Sequence, residues 1–552
     1  MINLKNRKLK IKSLSPLLLT IIATLILIIY ILKFVSLPQI VYSDEGDYIW
    51  TGHVITRAIR QGNWQLFWQL TYPQFHYPFF QSWYLGFATL PFEYTTESSR
   101  LASLILLLPT IILVWFLARK LNRNIISPLV TCGLILTSPL TLYYFSNVMK
   151  EGLATFLTLL TFFVYFQARE KKNPVLFLMV STLTLALTLT KYNYGALVLL
   201  TLGVESIVWL LKNTGYRKKD FWFNNILLYL PFLIGFAVWI FYPINRFGYL
   251  FPFPQSKDIY NLDQSTLLGH LLYYPLELAF SYTFSWVAFV LLAFGFIWAL
   301  KSWRNYQIRV LAGYFIINFF LAEQHVINNQ ARYIFTSVPA FFLTATFGLI
   351  QSLPIIKKNI KKVYRNPLIL GLTIPFATIG IIILIKDFLI FPKIITGTGS
   401  HNIQSPAFYE QDYKDISGFD FNRSRWPKIP PPSKTEKISD VITFVLENVD
   451  LTKKIFLVGG IDELNRGIFD FYLEKAKEKN IRQSYPNYFE YLVVLQVKEG
   501  SRFDTLNYRY FAKLRGIDSA AAAKQTLADK SFAQVKEKYF PYLGLTVTIL
   551  TR

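Results

Sequence analysis

Apolar runs of membrane-spanning length, divided by short basic clusters, constrain this chain more than anything else in it. A helix crossing the hydrocarbon core needs roughly 20 mostly apolar residues. Eleven stretches are candidates: Leu14 to Phe34, Leu101 to Leu117, Ile125 to Tyr143, Gly152 to Phe166, Pro174 to Thr190, Gly195 to Leu211, Ile226 to Tyr242, Leu276 to Leu300, Tyr306 to Ala322, Tyr333 to Leu353 and Pro367 to Ile385. The loops between them alternate in charge. One set is rich in Lys and Arg: the N-terminus, Arg119/Lys120/Arg123, Arg169/Lys171/Lys172, Lys212/Arg217/Lys218/Lys219, Lys301/Arg304/Arg309 and Lys357/Lys358/Lys361/Lys362/Arg365. The opposite short loops hold isolated cations, Lys150, Lys191 and Arg332. Cytoplasmic loops collect positive charge. The pattern therefore predicts a polytopic α-helical protein of the inner (plasma) membrane, with about eleven spans, a cytoplasmic N-terminus and an external C-terminus.

Composition agrees. Only 16% of the 552 residues are charged and 53% are hydrophobic, against about 25% charge in soluble domains. The net charge of +24 sits in the loops, which suits membrane orientation rather than nucleic-acid binding. Cys132, the single cysteine, excludes an intrachain disulfide and a Cys-pair metal site. The N-terminal apolar run imitates a signal peptide, but it is too long and lacks a small-residue cleavage site. It reads as an uncleaved first span.

Residues 1–392 thus form the membrane domain. Within it, residues 36–100 make a long first outer loop rich in Trp, Tyr and Phe, suited to helices lying at the membrane surface. A second outer segment runs from Arg246 to Pro275. Residues 393–434 form a linker containing the Pro-rich stretch Pro427 to Pro432. Residues 435–552 read as a small soluble α/β domain on the outer side. Its expected elements are a helix at Ser439 to Leu446, a strand at Lys454 to Val458, a helix at Asp462 to Lys477, and strands at Tyr491 to Val497 and Leu545 to Leu550.

Chemistry concentrates at the predicted outer ends of the spans. Val41-Tyr42-Ser43-Asp44-Glu45-Gly46-Asp47-Tyr48 places three carboxylates at the lip of the first span. They serve equally well as a solvated helix cap or as a general base at the membrane–water boundary. Tyr72-Pro73-Gln74-Phe75-His76-Tyr77-Pro78 follows. Its rings suit an interfacial aromatic belt, while His76 is able to touch a phosphate or sugar. Lone interfacial lysines usually snorkel. Lys150, Lys191 and Arg332, however, share one side with Asp44, and cations there suit a lipid-linked phosphate, which Arg grips bidentately. Asp44 and Asp47 also have oxygens fit for Mg or Mn.

In order, these segments resemble the GT-C superfamily of integral-membrane glycosyltransferases. They are most similar to the branch of protein O-mannosyltransferases and the lipid A aminoarabinose transferase. The carriers are Asp44-Glu45-x-x-Tyr48, His76-Tyr77-Pro78, Ser138-Pro139 followed by Lys150-Glu151, Thr190-Lys191-Tyr192, and Arg332-Tyr333-Ile334-Phe335 followed by Pro339. The resemblance covers roughly Leu14 to Leu353. It implies a polyprenyl-phosphate-linked sugar donor, a hydroxyl acceptor (protein, glycolipid or cell-wall glycan) and inversion at the anomeric carbon. It also implies Asp44 as base, with Glu45 beside it as a candidate catalytic carboxylate. Arg332, Lys191 and, more weakly, Lys150 would hold the donor phosphate. Asp47, Tyr48, His76, Tyr77, His325 and Tyr333 would bind substrate. No metal is expected to be obligatory. Three other readings stay open: a lipid flippase or transporter, a ligase or polymerase of lipid-linked glycans, and a non-catalytic envelope protein. Against transport, Glu205 is the clearest charge within a span, and no two matching halves are visible.

Overall fold

A computed structural model of the protein describes residues 4–32, 44–72, 74, 78–212, 219–241, 274–275, 278–283, 285–324, 331–363, 378, 381–382, 438–451, 453, 455–458, 491–497, 519–541 and 545–551. Helices form the membrane portion: α1 (Leu4–Ile31), α2 (Asp44–Arg60), α3 (Trp64–Thr71), α4 (Phe80–Ala88), α5 (Thr96–Ile105), α6 (Leu107–Leu121), α7 (Ile126–Leu136), α8 (Pro139–Ser146), α9 (Lys150–Lys171), α10 (Pro174–Thr188), α11 (Tyr192–Lys212), α12 (Lys219–Phe241), α13 (Trp286–Ala299), α14 (Tyr306–Gln324) and α15 (Val338–Val363).

Among the described residues, five segments are long and apolar enough to cross a membrane: Thr96–Leu121, Lys150–Lys171, Tyr192–Leu211, Lys219–Phe241 and Phe335–Pro354. Shorter apolar helices at Pro16–Ile31, Pro174–Thr188, Val287–Ser302 and Tyr306–Leu321 fall within four further predicted spans. The protein is a mostly helical, multi-pass membrane protein. Apart from residues 378 and 381–382, the predicted eleventh span lies outside the described residues, as does the linker at 393–434.

One predicted span is rewritten. The run from Ile125 to Tyr143 is not a single helix, because α7 and α8 meet at 66°. Proline disfavours helical backbone in the residue before it but suits the first turn of a new helix. Accordingly Pro139 opens α8, with Ser138 as its cap. Two further capped starts set element order. Thr95 and Ser98 form a reciprocal capping box at α5, which moves the second span's start ahead of the expected Leu101. Asn173 caps α10, with Pro174 at its first position.

Small residues let the helices approach closely. A Cβ on Gly348 of α15 would strike the backbone of Gly295 and Ala299 in α13. Backbone contact of this kind is how membrane helices gain packing energy without a hydrophobic drive between them.

One end of the bundle is locked by charge. Arg309 donates to Glu205 through Nε (2.6 Å) and Nη2 (2.8 Å). Arg169 adds a third bond to that carboxylate at 3.1 Å and stacks over Trp209 at 4.1 Å. Next to them, Glu170 accepts from Lys120 at 2.5 Å and from Gln307 at 2.9 Å. These bonds tie α6, α9, α11 and α14 together. Glu205 is thus a clamp between two guanidinium groups, a poor candidate for a proton or ion relay.

Beyond the membrane portion, a four-stranded sheet has the order β1-β2-β4-β3, with β1 (Ile455–Val458), β2 (Tyr491–Val497), β3 (Ala533–Phe540) and β4 (Leu545–Thr551). The β1–β2 pair is parallel and the other two pairs are antiparallel. Val493, Val547 and Ile549 are fully buried, together with Val441 of α16 (Ile438–Asn448). A further helix, α17 (Ser519–Ala528), covers the other face with Ala523 against Leu492 and Val494. The helix expected at Asp462 to Lys477 lies outside the described residues. The buried apolar cluster of this unit is continuous with Tyr48, Ile49, Leu85, Tyr94 and Val148. The sheet unit therefore seats against the α2–α4 layer.

Candidate active site

The site is assembled from the start of α2, the start of α9 and the turn between α10 and α11. Asp44, Glu45 and Asp47 all fall in the first turn of α2. Unpaired N–H groups and the positive end of the helix dipole favour carboxylates at such a place. The Asp44 side chain lies outside the described residues. Glu45 is only 2% exposed and fully engaged. Arg100 donates to it through Nε and Nη2, both at 2.8 Å, and the Val148 N–H donates at 3.0 Å. Donors of the protein itself thus engage both of its oxygens. Glu45, named above as a candidate catalytic carboxylate, is placed here as an anchor: it fixes the start of α2 to α5 and to the approach to α9.

Close packing under α2 supports the anchor. A Cβ on Gly52 would collide with Tyr94 and Leu85. The Tyr94 hydroxyl donates to the Ile49 carbonyl at 2.8 Å, and burial pushes its pKa up, which keeps it a donor.

Tyr48, one helical turn after Asp44, joins this region to the cations. Lys150 Nζ lies 5.0 Å from the Tyr48 ring centre and donates to the Pro78 carbonyl at 3.3 Å. Lys150 is 2% exposed, a buried cation facing an aromatic ring rather than a lysine that snorkels to the interface. His76 and Tyr77, immediately before Pro78, lie outside the described residues, and so does His325.

The next residue, Glu151, is the centre of the second half. Lys191 Nζ lies 2.8 Å from its Oε1. Tyr194 places its hydroxyl 3.4 Å from the same oxygen and donates to the Arg332 carbonyl at 2.8 Å. Lys191 also sits 5.6 Å from the Tyr333 ring centre, and the Arg332 guanidinium 5.9 Å from it. The turn that delivers Lys191 is tight because Gly195 passes directly over Thr188, where a Cβ would clash.

Lys150, Lys191, Arg332, Tyr48 and Tyr333 are thus gathered into one region, although they stand far apart in sequence. Arg100, Glu151 and Tyr194 belong to the same construction without having been singled out. Glu151 had a signal, since it follows Lys150 in a quoted segment, but nothing in the sequence paired it with Lys191. Among the described residues no three His, Cys, Asp or Glu side chains gather as a metal site.

No protein-family model matches the chain, and no curated protein matches it significantly in sequence. Solved structures do. ArnT from Cupriavidus metallidurans, bound to undecaprenyl phosphate, superposes with TM-score 0.51 at 14% identity, covering 97% of this chain and 98% of ArnT. The apo form gives 0.51 at 13% identity, with 98% of each chain covered. The chain has the fold of ArnT. The match runs over nearly the whole length, so it takes in the C-terminal sheet unit as well as the helices. At this level of identity it speaks for architecture, and the chemistry rests on the residues described above.

Proposed function

We propose that the chain is a membrane glycosyltransferase. It moves a sugar from a polyprenyl-phosphate donor to a hydroxyl acceptor on the outer face of the plasma membrane. The observation that carries this reading is the convergence of Lys150, Lys191 and Arg332 from three separate segments, beside the acidic start of α2. Such a site suits an anionic phosphate next to a base. Binding of undecaprenyl phosphate by ArnT, a protein of the same fold, supports a lipid-linked donor.

In the proposed reaction the Asp44 carboxylate takes the acceptor hydroxyl proton. The acceptor oxygen bonds to the anomeric carbon as the bond from that carbon to the phosphate oxygen breaks. The configuration inverts, and polyprenyl phosphate leaves with the electron pair. Lys191 and Arg332 stabilise the charge that grows on the leaving phosphate, and Lys150 adds a buried positive field. Asp47, Tyr48, His76, Tyr77, His325 and Tyr333 position acceptor or donor. The residues proposed here need no obligatory Mg or Mn.

Liposomes holding the protein, radiolabelled polyprenyl-phosphate sugars and a membrane extract as acceptor provide the test. Wild type transfers label to a new product, and EDTA leaves the rate unchanged. Lys191→Met loses about two to three decades of rate, because a donor to developing charge in a water-poor site is worth roughly 3–4 kcal/mol. Movement of the lipid across the bilayer with no label transfer from any donor would overturn the reading in favour of a flippase.

A further inference from the structure

The geometry points to Glu151 as the residue that sets how readily the site releases a lipid phosphate; this rests on the glycosyltransferase reading above. Glu151 opens α9 and is 1% exposed. Its carboxylate lies 2.8 Å from Lys191 Nζ and 3.4 Å from the Tyr194 hydroxyl. The Tyr194 hydroxyl also donates to the Arg332 carbonyl at 2.8 Å, which holds Arg332 beside this carboxylate. The two cations proposed to hold the donor phosphate are therefore already facing a fixed internal anion.

A phosphate entering this site meets cations that are partly neutralised, and it is repelled by Glu151 itself. Burial keeps that repulsion from being screened by water or salt. Its size also depends on which phosphate is bound. The donor is a phosphodiester with one negative charge. The product, a phosphomonoester, carries nearly two at neutral pH, since its second pKa is about 6. Glu151 thus opposes the product more than the donor. Without it, Lys191 and Arg332 would grip the spent lipid tightly and hold the enzyme in its product complex. Glu151 is in this sense a positioning residue: it holds Lys191 in place and limits the net charge of the site.

The test is binding of radiolabelled polyprenyl monophosphate to the full-length protein in detergent, alongside steady-state and single-turnover transfer. Glu151→Gln is expected to bind the monophosphate at least about tenfold tighter, as loss of one nearby buried charge allows. Both KM and kcat fall, and kcat falls by a larger factor than the single-turnover rate, because release of the spent lipid becomes the slow step. A residue of purely structural importance would weaken binding and would leave KM unchanged or raised. Equal or weaker binding by Glu151→Gln, with wild type binding normally, overturns the inference and leaves the transferase reading intact. Failure of wild type to bind the lipid phosphate at all overturns both. Should Glu151→Gln not fold, the comparison passes to Lys191→Gln and the isosteric pair Glu151→Gln/Lys191→Gln. There the double variant is expected to bind tighter through Arg332, and equal binding would overturn the proposal.

Discussion

Asp44→Asn is expected to reduce transfer by about two to four decades, the usual worth of a positioned general base, with little change in thermal stability. The substitution keeps the shape of the side chain and removes its ability to take a proton. Asp44 is the first residue of α2, a position at which helices generally accept carboxylates. The neighbouring Glu45 is consumed by Arg100 and the Val148 N–H, so it has no capacity to substitute. Initial rates in the liposome assay, with a melting curve for each variant, make the check. Asp44→Asn running within tenfold of wild type would remove the base from this position, and Asp47 would become the group to test.

The second large effect falls on stability. Arg100→Leu leaves the Glu45 carboxylate buried without its guanidinium partner, and breaking a buried pair this way costs about 3–5 kcal/mol. The side chains of the pair are 1% and 3% exposed, so water offers little compensation. Arg100→Lys keeps the charge but loses the two-pronged geometry, and its loss should be intermediate. The double variant Glu45→Leu/Arg100→Leu tests the physical cause, because neighbours in one network do not add. It should recover much of the melting temperature, while transfer stays low because the start of α2 is no longer fixed. An Arg100→Leu protein as stable as wild type would refute the anchor.

Membrane architecture was legible because hydrophobic length and loop charge are properties of contiguous sequence. The helical, multi-pass character of the protein came from that logic. The bend at Ser138-Pro139 was missed although the proline was visible, since an apolar run hides a change of direction. In the sheet unit, β1, β2 and β4 were readable as apolar runs. β3 escaped because Ala533–Phe540 carries Lys536, Glu537 and Lys538 on an exposed edge strand, where charge is the usual protection against edge-to-edge pairing. The site was half legible. Which residues carry charge can be read directly, but which charges neutralise one another depends on contacts such as Glu45 with Arg100 and Glu151 with Lys191, which are 55 and 40 residues apart. The engagement of Glu45 by Arg100 was invisible in the sequence for that reason.

The three bonds on Glu45 also order events at the ribosome. Its two partners lie 55 and 103 residues downstream. When α2 first leaves the insertion machinery, its buried carboxylate has nothing to bury against. Arg100 arrives with α5, and the last bond waits for residue 148, just ahead of α9. Until then the acidic end of α2 must remain hydrated or sheltered by a chaperone. A nascent chain arrested before residue 148 should therefore leave this segment open to protease, and one arrested after α9 has emerged should protect it.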